Sequence, residues 1–135
     1  MSTCIAPDEL IAMLIIPSQA SPERWAYEAF SRRQGDYALV AVAVRIALAH
    51  ARIARLTIAI SGAAEVAIRM GAIEAQVTGQ ALEADTPARI AALCAAGVEP
   101  VASDEASSEY RRALVGTLVE RALRRALDHS TGELH

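Results

Sequence analysis

In SRRQGDY, residues 31–37, two adjacent arginines, a glycine, an aspartate and a tyrosine share one short turn between apolar stretches. Guanidiniums are planar donors suited to phosphate, carboxylate or a polarised carbonyl. Gly35 permits the tight backbone that presents Arg32, Arg33, Asp36 and Tyr37 together. On this reading the turn is a binding loop. The alternative is that Arg32 or Arg33 pairs with Asp36 or Glu28 and only pins the turn, which composition alone favours.

Other sources of chemistry are thin. No Walker loop, GxGxxG, GxSxG or HExxH occurs, and no histidine stands near a nucleophile, so no catalytic residue can be named. His50 falls in an expected hairpin turn and His129 and His135 lie near the tail, where solvated side chains are the expectation. Cys94 sits among alanines and reads as a small core residue. Cys4 is too close to the end of the chain to interpret. Two distant cysteines without a CxxC spacing indicate neither a metal site nor a disulfide framework, and a reducing cytoplasm is the simplest reading. The neighbouring carboxylates Asp8/Glu9, Glu83/Asp85 and Asp104/Glu105 fall at element starts or in loops, where they cap helices or stay hydrated.

A chain of 135 residues is expected to form one domain, residues 1–135, and its net charge of −3 offers no field for nucleic acid or an acidic membrane. With 53% hydrophobic residues but one Trp, three Tyr and one Phe, the core must be built from Ala, Val, Leu and Ile. The apolar run at residues 10–16 is too short for an export or membrane-spanning segment.

The elements that position the turn follow from periodicity. Residues 10–16, closed by Pro17, read as a first strand. Residues 24–31 alternate as a second, with Trp25, Tyr27 and Ala29 on one side. From residue 41, Val42, Val44, Ile46 and Leu48 share a bulky face while Ala41, Ala43, Arg45, Ala47 and Ala49 share a thin one. After residues 50–52, Leu56, Ile58 and Ile60 continue the bulky face, which predicts an antiparallel hairpin. Val66, Met70, Ile73 and Val77 then recur at helical spacing up to Gly79, Thr86-Pro87 opens a second helix that Gly97 ends, and Ser107-Ser108-Glu109 opens a third. Tyr110, Leu114, Leu118 and Ala122 form the expected stripe of this last helix, with Arg111, Arg112, Arg121, Arg124 and Arg125 on or near its solvent side. The predicted fold is α+β: a four-stranded antiparallel sheet followed by three helices packed on one face. The thin face calls for a cover. A small-molecule pocket formed there against a neighbouring subunit would be lined by Trp25, Tyr27 and Arg45, with the chain a homo-oligomer.

Four segments in order resemble the C-terminal domain of the flavoprotein, or medium, subunit of the molybdenum hydroxylases, which include aerobic carbon monoxide dehydrogenase and xanthine dehydrogenase. PDELIAMLIIP at 7–17 is similar to that domain's opening strand and YEAFSRRQGDYALVAVAV at 27–44 to its most recognisable motif. Arg69, Glu74 and Gly79 keep the R-x4-E-x4-G spacing of its first helix, and SSEYRRALVGTLVERAL at 107–123 is similar to its closing helix. Ser61-Gly62 stands where a Gly-Gly pair is common, and Ala67 where a proline is often found. The resemblance implies a β(4)-α(3) sandwich and places the turn beside the isoalloxazine end of FAD, giving Arg32, Arg33, Gly35, Asp36 and Tyr37 a part in tuning the flavin or admitting the electron acceptor. It also implies that the FAD diphosphate is held by another domain, so that this chain alone holds FAD weakly, and that an iron–sulfur subunit and a molybdopterin subunit are partners of an oxidoreductase. A flavin-free function of a detached domain, as a small-molecule binder or catalyst in a biosynthetic pathway, is the competing expectation.

Overall fold

Bulky and small residues alternate along the central hairpin, and the computed structural model, which describes residues 5–16, 18, 23–33 and 35–128, turns that pattern into the two sides of a sheet. Strands β1 (Glu23–Phe30), β2 (Val40–Ala49), β3 (Arg52–Ser61) and β4 (Ile68–Arg69) lie in the order β1-β2-β3-β4, all antiparallel. Val42, Val44 and Ile46 pair with Ile60, Ile58 and Leu56, and all six are buried on the inner face. Ile53 is out of phase with this set. A β-bulge at Ala54, left unpaired between Leu48↔Ile53 and Ala47↔Arg55, returns Ile53 to the core.

Helices α1 (Gly71–Val77), α2 (Thr86–Ala96) and α3 (Ser108–Asp128) cover that inner face. Gly97 ends α2 and Pro87 lies in its first turn, as the sequence predicts, but the helix opens at Thr86 itself, with Asp85 rather than the threonine at the cap position. Helix α3 spans β1 and β2, burying Val115, Leu118, Val119, Ala122, Leu123 and Ala126. Gly116 faces α2 at their contact, where a Cβ would lie 3.5 Å from the Ala95 Cβ. Glu28 of β1 faces α3 and binds Arg121 and Arg125 at 3.3 and 3.0 Å, and Arg24 donates to the Leu127 carbonyl at 2.7 Å.

Two expectations need correction. Residues 10–16 are not a strand of this sheet: they carry no regular structure and every side chain is exposed, because no strand edge in the fold receives them. Pro17, which closes the run, lies outside the described residues. The fourth strand is instead Ile68–Arg69, within the stretch read as helical, and α1 begins only at Gly71. Pairing with Ala59 and Ile60 decides this over local periodicity, while Val66 is left exposed.

The outer edge of β3 is completed piecewise. Gly79 N–H donates to Ile53 O, Ile53 N–H to Gln80 O and Leu82 N–H to Ala51 O, at 2.7, 3.0 and 2.9 Å. Between that stretch and β4, the Glu74 carboxylate accepts from Ile58 N–H at 2.8 Å and from Arg69 through both oxygens at 2.8–3.1 Å. Thus the Arg69–Glu74–Gly79 spacing serves to seal a sheet edge. Burial pushes the Glu74 carboxyl up, but the Arg69 guanidinium and the Ile58 N–H outweigh it and hold the group below the usual glutamate range.

Glu74→Ala leaves the buried Ile58 N–H without its acceptor and costs about 1–3 kcal/mol in urea denaturation. Glu74→Gln keeps an acceptor but not the charge. Since the folded value is depressed, the charge contributes stability above the ordinary glutamate range and loses it as pH falls through the folded value. The gap between wild type and Glu74→Gln therefore closes on acidification. In the β2–β3 turn both central residues, His50 and Ala51, have positive φ, at 50° and 58°. Such a turn favours Asn-Gly, so Ala51→Gly raises stability by about 1 kcal/mol, read from the denaturation midpoint.

Candidate functional site

The turn after β1 is held by its own backbone. Leu39 N–H donates to Phe30 O at 2.8 Å and closes it; Ser31 Oγ and Asp36 N–H both donate to Arg33 O, at 3.0 and 3.2 Å. Gly35 has φ +83°, and no heavy atom lies within 4 Å of where a Cβ would sit, so the turn opens outward there. Asp36 Oδ1 accepts from Tyr37 N–H at 2.9 Å, and the Tyr37 side chain is 95% exposed. Gln34 lies outside the described residues.

Arg32 and Arg33 are exposed and carry no ion pair among the described residues. The reading in which either pins the turn through Asp36 or Glu28 is therefore corrected: Asp36 binds backbone, and Glu28, on the inner side of β1, belongs to Arg121 and Arg125. Most other arginines are engaged. Arg24, Arg52 and Arg111 bind carbonyls, Arg89 binds Gln80, and Arg45, Arg55, Arg69, Arg121, Arg124 and Arg125 bind carboxylates. Only Arg112 joins Arg32 and Arg33 in having no partner among the described residues.

Behind the turn lies a residue whose role the sequence reading missed. Arg111, expected on the solvent side, is buried; one guanidinium nitrogen donates to Leu39 O and Gly62 O at 2.7 and 3.0 Å, and the other to Ser103 Oγ at 2.8 Å. This ties the exit of the turn, the exit of β3 and the start of α3 into one corner. Gly62 is required there twice over: its φ is +78°, and a Cβ would collide with the Leu39 carbonyl. Ser107 Oγ accepts from Tyr110 N–H at 3.1 Å as the cap of α3, and Tyr110 meets Phe30 edge-on with ring centroids 6.3 Å apart. The signal for Arg111 was its spacing: it stands four residues before Val115 and seven before Leu118, in phase with the buried stripe.

Trp25, Tyr27 and Arg45 share the outer face. Trp25 pairs across the sheet with Arg45 and Tyr27 with Ala43; the two aromatics are 57% and 55% exposed. Glu23, buried, binds Arg45 at 3.4 Å and Arg55 at 3.0 Å, so one carboxylate holds both guanidiniums beside Trp25. The outer face is thus an open surface, separate in character from the charged turn.

Cys94 is a core residue, and burial, with a smaller contribution from the Glu74 charge, pushes its thiol up to about 12, so it stays protonated and unreactive. Among the described residues no three His, Cys, Asp or Glu side chains gather as a metal-holding group, and no helix is long and apolar enough to cross a membrane. Replacing Arg111 with Met strips charge-assisted hydrogen bonds from the corner. We expect a loss of roughly 1.5–3 kcal/mol in chemical denaturation, with faster amide exchange at Leu39 than in wild type.

The fold is shared with known proteins. A family model described as the CO dehydrogenase flavoprotein C-terminal domain matches residues 25–126. The nicotine 6-hydroxylase medium subunit of Paenarthrobacter nicotinovorans is 38% identical over 90% of this chain and 42% of its own length. The carbon monoxide dehydrogenase medium chain of Afipia carboxidovorans is 28% identical over 92% of this chain and 43% of its own. In the solved carbon monoxide dehydrogenase of Hydrogenophaga pseudoflava, a chain 30% identical superposes with a TM-score of 0.77 over 83% of this chain and 39% of that one. This chain spans about two fifths of the length of the curated relatives it matches. On sequence and fold alike, the chain belongs to the CO dehydrogenase flavoprotein C-terminal domain family.

Proposed function

We propose that the chain is the flavin-proximal domain of a medium subunit of a molybdenum-hydroxylase-type oxidoreductase. It docks on a flavin-binding part that lies outside these residues and presents the 31–37 turn to the FAD ring. One observation carries this reading: Arg32 and Arg33 stand unpaired on an outward-opening turn, while almost every other arginine is engaged.

The turn fits one end of FAD. Two guanidiniums and the space at Gly35 suit the carbonyl-bearing edge of a planar ring, whereas the described residues offer no glycine-rich cradle for a diphosphate. When bound, FAD supplies the capacity to accept and release electrons between partner centres. Arg32 and Arg33 orient the ring by hydrogen bonds, and their fixed positive charge favours the electron-rich ring, which raises its potential. Tyr37, fully outside the fold, covers the ring or meets the acceptor. The Arg111 corner holds the turn's exit in place without touching the flavin. The iron–sulfur and molybdopterin subunits complete the electron path.

The test combines this chain with FAD and the remainder of the P. nicotinovorans medium subunit, the part that this chain does not match. Intact chain should slow FAD release by about tenfold, and Arg32→Gln/Arg33→Gln should abolish that effect and lower the flavin potential, without changing the chain's own melting temperature. FAD release indifferent to the intact chain overturns the reading.

A further inference from the structure

One long edge of the sheet is sealed and the other is not. Strand β4, the Glu74 carboxylate and residues 79–82 take up the outer side of β3, whereas the far side of β1 meets no strand among the described residues. An open edge of eight residues is a template for further pairing, and β1 carries none of the usual deterrents. It holds no proline and no lysine, and its register with β2 runs unbroken from Glu23↔Ala47 to Phe30↔Val40, without a bulge to twist the edge away.

The residues of β1 fit a second copy of themselves. Phe30 C=O is turned to β2, where it accepts from Leu39 N–H at 2.8 Å, and backbone groups alternate sides along a strand. Glu23, Trp25, Tyr27 and Ala29 therefore turn their N–H and C=O groups to the open edge. A two-fold axis at Ala26 sets Trp25 against Tyr27 of the second copy, Glu23 against Ala29 and Arg24 against Glu28, each pair occurring twice. The odd-numbered pairs exchange backbone hydrogen bonds and bring together the two large aromatics of the outer face, both more than half exposed in the single chain. The even-numbered pairs lie between the hydrogen-bonded ones, where backbones approach to about 4.5 Å; the small Ala26 side chain stands on the axis, and Arg24 meets an opposite charge. Glu28 can accept it, since its two oxygens take one guanidinium each, from Arg121 and Arg125, and a carboxylate has sites for about four hydrogen bonds. Arg24 binds the Leu127 carbonyl, so no carboxylate is given up. An axis at Trp25 or Tyr27 breaks the Arg24–Glu28 pairs, and one at Arg24 or Glu28 sets like charges face to face. Helix α3 spans β1 and β2, so the two copies of α3 lie on one face of the joined sheet with axes two strand spacings, about 10 Å, apart, the distance at which helices pack.

We propose that the chain forms a two-fold dimer through the open edges of β1, joining the two four-stranded sheets into one. The dimer is independent of the flavin reading and leaves that site open, because the two 31–37 turns depart from opposite ends of the paired strands.

Sedimentation equilibrium of the intact chain, with amide exchange followed by NMR, tests this. The expected dimer dissociates at about 10 µM, and raising the concentration through that range slows exchange at the Trp25 and Tyr27 amides by at least about tenfold. Trp25→Lys/Tyr27→Lys and Trp25→Glu/Tyr27→Glu each set like charges across the axis and weaken the dimer at least about a hundredfold. Mixed in equal amounts, the two variants restore a dimer, since lysine then meets glutamate; both positions are exposed, so neither variant loses its fold. An intact chain that stays monomeric up to about 1 mM, the edge being left bare or reserved for another protein, overturns the proposal. A dimer in which the Trp25 and Tyr27 amides exchange as fast as in the monomer places the contact elsewhere and overturns it too, as does a mixture of the two variants that stays monomeric.

Discussion

A buried guanidinium without a carboxylate is costly unless its donors are satisfied, and the corner around Arg111 is built to satisfy them. Carbonyls of Leu39 and Gly62 and the Ser103 hydroxyl take two of its nitrogens, while Nε stays unpartnered. Those acceptors come from three places: the end of the turn, the end of β3 and the approach to α3. The corner thus fixes the position of α3 along the sheet and, with it, where the turn leaves the fold. Because the acceptors are neutral, the positive charge of Arg111 is not cancelled. The start of α3 carries Glu109 beside Arg111 and Arg112, while its far half pairs with Glu28 and Glu120.

What could be read from the chain was whatever local pattern alone decides. The alternation in residues 41–60 is a property of the strands themselves, and Pro87 and Gly97 bound α2 by their own backbone chemistry. Residues that depend on a distant partner were not legible. Ile68 and Arg69 are strand only because β3 lies beside them, and helical spacing from Val66 to Val77 masked that. Ile53 is a core residue only because of the bulge at Ala54. Residues 10–16 were misread as a strand for the same reason: the run is apolar at every position, but whether such a run finds a neighbouring strand is not a local property.

The same distinction applies to the site. Gly35 and the two arginines announce an outward turn by composition, since glycine at positive φ and unbranched cations are what such a turn needs. Whether the arginines were free turned on Glu28. Its parity in β1 opposes that of Trp25 and Tyr27, so it faces α3 and is consumed there. Arg111 was hidden for a different reason: an arginine in a helix next to Arg112 looks solvated until the phase of Val115 and Leu118 is imposed on it.

Charge is sorted across this fold in a way that keeps two surfaces distinct. On the outer sheet face, Glu23 sits between Arg45 and Arg55, and alanines at 41, 43, 47 and 59 keep the surface low, which leaves Trp25 and Tyr27 as its prominent apolar groups. The turn keeps its cations unbalanced, which suits a small anionic or carbonyl-rich ligand and opposes an apolar cover. Strand β1 joins the two, since Trp25 and Phe30 lie five residues, about 16 Å, apart along it and the turn begins at the next residue. A partner seated on the face is therefore held within one strand length of the turn, and a rigid strand between them transmits position rather than slack.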